Sequence, residues 1–244
     1  MNKIENKIEN INKEFSNRII EINYMYSKLF KDISAIENDT ENCELKPTDV
    51  YFTARAVTVF TYATFEKYVK KLTEFTLETI LEHNYYNNNY VKELMEILKC
   101  GKDAKGLFEL MMHNKSIYVN TEGFERAKDK GYFSRNGRID AETVSYIIKV
   151  LNLNKNEPYI KLPKVTIDNI AKKRMDLAHG DYLEELSSFG PSRDDLEIRR
   201  IKGYIEYQLK LNSKTKDDII LFFEQFKDKN IEILNEIRLY EEVG

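Results

Sequence analysis

Residues 48–81 read TDVYFTARAVTVFTYATFEKYVKKLTEFTLETIL, a stretch with neither glycine nor proline. Its apolar side chains (Tyr51, Phe52, Val57, Val59, Phe60, Tyr62, Phe65, Tyr68, Val69, Leu72 and Phe75) show no strand-like alternation. On a helix they cover a broad surface instead of a narrow stripe. A helix apolar over so much of its circumference belongs at the centre of an all-α protein. Thr48 is suited to cap its N-terminus, with Pro47 just outside. The polar tract HNYYNNN at 83–89 breaks it.

The flanking sequence extends the same pattern. Ile4, Ile8, Ile11, Phe15, Ile19, Ile22, Met25, Tyr26, Leu29, Phe30 and Ile33 recur every three or four positions, which predicts a long first helix over 3–37. Shorter helical pieces are expected around 90–99 and 103–113. Residues 114–139 carry Gly123, Gly131 and Gly137 among Arg126, Lys128, Lys130, Arg135 and Arg138, and read as an irregular insertion. Helix resumes from Asp140 to Leu151, and a linker with two prolines covers 152–163. The next helix starts at Val165 or Thr166 and runs to about Leu186, where SSFGPS (187–192) closes it. Ser192, Asp194 and Asp195 open a further helix to about Leu211. Thr215 and Asp218 are read as the cap of a last long helix to about Tyr240. The expectation is a single all-α helical-bundle domain over 1–244, with long first and last helices and no internal repeat.

Composition narrows the function classes. Hydrophobic residues make up 42% and charged residues 32% of the chain, too apolar for a disordered protein. A net charge of −3 argues against holding nucleic acid by bulk electrostatics, while leaving room for a small basic cleft. The N-terminal MNKIENKIENINKEF lacks an apolar signal region, and no run of about 18 apolar residues occurs, so no membrane association is expected. Cys43 and Cys100 lack ligand-like spacing and read as reduced thiols of a cytoplasmic protein with no metal and no cofactor.

Three histidines limit the catalytic candidates. His83 lies in a polar break, where a surface role suffices, and His113 ends the helical piece LMMH, where a favourable dipole contact suffices. His179 lies in AKKRMDLAHGD, five positions after Arg174. On a regular helix that separation is roughly 140° of azimuth, so the pair reaches one groove only along its edge. The chemistry of the two side chains is complementary. A guanidinium offers a fixed fork of donors to phosphate, and an imidazole exchanges protons near neutrality. Together they are a minimal kit for cutting RNA without a metal.

RMDLAHGD resembles the Arg-polar-…-His motif of the HEPN superfamily, and TYATFEKYVKKL (61–72) resembles the aromatic, glutamate-bearing helix of the MAE-type HEPN domains associated with restriction and phage defence. The resemblance implies an all-α fold and a catalytic role for Arg174 and His179. It further implies support from Glu66, with Asp176 as a second supporting candidate. A homodimer would bring two motif helices to one RNA cleft, with Lys172 and Lys173 making that cleft locally basic. The implied function is a metal-independent endoribonuclease, a toxin or antiviral-defence effector that answers to an antitoxin or defence-system partner. Two departures qualify it. Met175 stands where the family has Asn or Asp, and Tyr182 lies one position beyond the His-x-Tyr spacing of the toxin branch. Met175 keeps a second reading open, that of a non-catalytic adaptor or nucleotide-binding regulatory module. A coincidental motif in a purely structural protein is the third.

Overall fold

The computed structural model describes residues 3–38, 47–83, 85, 139–179 and 195–243, and among them it is all-α. Five helices appear in chain order: α1 (Lys3–Asn38), α2 (Pro47–Glu82), α3 (Ala141–Val150), α4 (Lys164–His179) and α5 (Asp195–Val243). The helical pieces expected at 90–99 and 103–113, most of the insertion at 114–139, and the segment 180–194 lie outside the described residues. None of the described helices is long and apolar enough to cross a membrane.

By packing, the chain falls into two compact units. One comprises residues 1–15, 66–164 and 222–244, and the other residues 16–65 and 165–221. In the first, Leu72, Leu77 and Ile80 of α2, Val144 and Ile147 of α3, and Phe222, Phe226 and Leu234 of α5 are fully buried. The Tyr68 and Phe223 rings lie 4.1 Å apart between centroids, and the Tyr68 hydroxyl donates to the Phe223 carbonyl at 3.2 Å. Burial, with the Asp228 and Glu14 carboxylates adding to it, pushes the Tyr68 phenol well above its ordinary pKa and keeps that donor protonated. Glu14 is buried and takes the Lys71 ammonium at 2.7 Å, so the buried charge has its counterion.

Local signals explain α3 and the loop after it. Asp140 accepts from the Thr143 amide at 2.9 Å and from the Thr143 hydroxyl at 2.8 Å, so it is a true N-cap. At the other end Asn152 adopts φ 54°, and two bonds close the turn: Asn152 N–H to Lys149 O and Leu153 N–H to Ile148 O. This is a Schellman motif with asparagine in the left-handed position and buried Leu153 covering the end. The linker beyond it lies along one stripe of α5. The Glu236 carboxylate accepts from Lys155 and Glu232 accepts from Asn156, while Lys229 donates to the Asn156 carbonyl at 2.7 Å and Gln225 accepts from the Lys161 amide at 2.7 Å.

Two boundaries differ from the sequence reading. Pro47 opens α2 as its first helical residue, because a proline without an N–H loses nothing in the first turn. More consequentially, no break occurs near residue 215: α5 runs unbroken from Asp195 to Val243. Thr215 is not a cap. Its hydroxyl donates to the Leu211 carbonyl at 2.8 Å, and the Asn212 amide donates to the Gln208 carbonyl at 2.8 Å, both back along the same helix. Asp218, expected as part of that cap, accepts instead from the Thr166 hydroxyl of α4.

Candidate functional site

The motif helix α4 belongs to the second unit, where Tyr26 and Leu29 of α1, Val57 and Phe65 of α2, Ile167, Ile170 and Ala171 of α4, and Ile219 of α5 are buried. The Thr166–Asp218 bond ties its first turn to α5. Ile167, Ile170 and Arg174 stand at i, i+3 and i+7, so Arg174 continues the row that begins in the core. Its side chain is nevertheless exposed, and its guanidinium carbon lies 5.9 Å from the centroid of the Tyr62 ring on α2. Tyr62 itself is only 3% exposed.

The other expected residues fall as follows. Lys172 is exposed, and Lys173 and Asp176 are half-buried, all on α4. Lys172, Met175, Asp176 and His179 occupy i, i+3, i+4 and i+7, a different row of the helix from Arg174. The backbone remains helical through His179, which fixes the azimuth between Arg174 and His179 near the 140° of a regular helix. The His179 side chain lies outside the described residues. Met175 is 36% exposed and places a thioether on the motif helix surface where a polar group was the expectation. Glu66 is engaged by Lys70, one turn on in α2, at 2.8 Å. The basic scatter at 126–138 and the residues Cys43, Cys100 and His113 lie outside the described residues.

The residue that sequence reasoning assigned elsewhere is Tyr62. It was read with the core-forming aromatics of α2, and its ring is indeed buried, yet its position under Arg174 is visible only in three dimensions. No protein-family model matches the chain, and neither the curated proteins nor the solved structures contain a match.

Proposed function

We propose that the protein is a metal-independent endoribonuclease of the HEPN superfamily, acting as a toxin or in antiviral defence in the cytoplasm as a homodimer. The observation that carries this reading is that RMDLAH of the motif lies on a helix whose Arg174 is exposed beside the core. In the reaction the His179 imidazole takes the 2′-hydroxyl proton, the freed oxygen attacks the adjacent phosphorus, and the 5′-oxygen leaves and is reprotonated. Arg174 stabilises the negative charge that gathers on the phosphate oxygens. The products are a 2′,3′-cyclic phosphate and a 5′-hydroxyl. Since the backbone positions of Arg174 and His179 lie about 140° apart in azimuth on one helix, a pair of α4 helices meeting across a two-fold axis would supply the converging set more readily than one copy does.

The test is RNA cleavage in EDTA by wild type and by His179→Ala, with end-group analysis. Cutting by wild type alone, leaving cyclic phosphate ends, supports the reading. Cutting that survives the substitution sinks it. Met175 favours a second reading, a non-catalytic adaptor that dimerises and regulates a neighbouring nuclease or ATPase. RNA left intact in EDTA by both proteins is the outcome that moves the weight to this adaptor.

A further inference from the structure

An arginine on an exposed helix face must give up rotamer freedom before it grips a phosphate in one geometry. Arg174 meets a fixed surface instead. The Tyr62 ring under its guanidinium is buried, and Thr61 and Phe65 beside it on α2 are buried as well, so the platform has no room to swing. Thr61 also donates to the buried Tyr26 hydroxyl of α1 at 3.1 Å, which holds this turn of α2 against its neighbour. A guanidinium resting on a π face uses none of its five N–H donors in that contact, so the ring positions the fork without competing with an anion for it. A carboxylate partner would occupy part of that fork.

We propose that Tyr62 is a positioning residue that presents the Arg174 guanidinium to an RNA phosphodiester. The proposal rests on the phosphate-binding half of the ribonuclease reading and not on its chemical step. Tyr62 lies one turn before Glu66 on α2, the residue to which the family resemblance gives a supporting role.

The experiment uses the full chain and a 2′-O-methyl oligoribonucleotide, which lacks the attacking hydroxyl and is not cut. Affinity is read by fluorescence anisotropy at fixed low salt. Arg174→Ala weakens binding. Tyr62→Leu weakens it about fivefold, the equivalent of about 1 kcal/mol for a lost cation–π contact, whereas Tyr62→Phe keeps the ring and binds like wild type. In the Arg174→Ala background Tyr62→Leu has no further effect, because its influence passes through the arginine. Helicity and melting temperature are followed for each variant, and Tyr62→Met replaces Tyr62→Leu if the latter does not fold. Unchanged affinity in the ring-less variant, an equal drop in the Arg174→Ala background, or a wild type with no affinity for the probe overturns the proposal. Binding that follows the expected pattern while native RNA stays intact in EDTA removes the ribonuclease reading and leaves the positioning role standing.

Discussion

Gly203 lies within α5, and a Cβ built on it meets nothing within 4 Å. Glycine in a helix costs roughly 1 kcal/mol relative to alanine, chiefly through the freedom of the unfolded chain. Gly203→Ala is therefore expected to stabilise the protein by about 0.5–1 kcal/mol, visible as a higher denaturant midpoint with an unchanged slope. A lower midpoint would mean that something does approach this backbone. Thr76 illustrates the opposite case, a buried hydroxyl donating to the buried Asn230 carboxamide, whose own amide donates to the Phe226 carbonyl at 2.7 Å. Thr76→Val keeps the shape but strips the Asn230 oxygen of this donor, and should cost about 1–3 kcal/mol in chemical denaturation.

At the scale of elements, the continuity of α5 is open to direct challenge. Lys214 is exposed, so replacing it disturbs no core. In an unbroken helix Lys214→Pro removes a backbone hydrogen bond and clashes with the preceding turn, at a cost of about 3 kcal/mol or more. Were there two helices with Thr215 as a cap, proline one position earlier would be nearly harmless. The melting temperature of the variant decides between them. The linker clasp on α5 carries a pH dependence. Burial works to raise the Glu232 carboxyl, but hydrogen bonds from Lys229 and Asn156 and the charges of Lys229 and Lys155 outweigh it and hold the group below its ordinary value of 4.5. Glu232 thus binds fewer protons when folded than when unfolded. Its stabilisation is present above the ordinary carboxylate range and is lost as pH falls through the folded value. Glu232→Gln should flatten the acid limb of stability plotted against pH. An acid limb identical to that of wild type would show that the clasp does not titrate through this residue.

For the molecule as a whole, α1, α2 and α5 each contribute residues to both compact units. Under the proposed two-fold arrangement the working cleft needs two copies of α4. Cleavage per unit protein should then fall on dilution through the dimer dissociation range, and mixing Arg174→Ala with wild type should depress activity beyond simple dilution. Activity proportional to protein concentration, with a monomeric mass in sedimentation at the same concentrations, would place the site within one chain.

The sequence by itself determined the all-α class, the long first helix, the Asp140 start and Leu151 end of α3, and the linker at 152–163, since periodicity, an N-cap and an asparagine turn act within a few residues of one another. It also singled out RMDLAHG on chemistry that needs no coordinates. Only the tertiary structure decided the rest. Asn212 and Thr215 are good caps in isolation, yet α5 continues through them with their side chains returned to carbonyls of their own helix. Asp218 takes the Thr166 hydroxyl of α4, a contact between distant segments. Phe52 and Phe60 are each 56% exposed although the broad apolar surface of α2 gave no reason to separate them from buried Tyr62 and Phe65. That Tyr62 underlies Arg174, more than a hundred residues away in the chain, depends on which turn of α2 packs beside α4. Local patterns state what a segment prefers, and contacts between distant segments select among preferences of nearly equal energy.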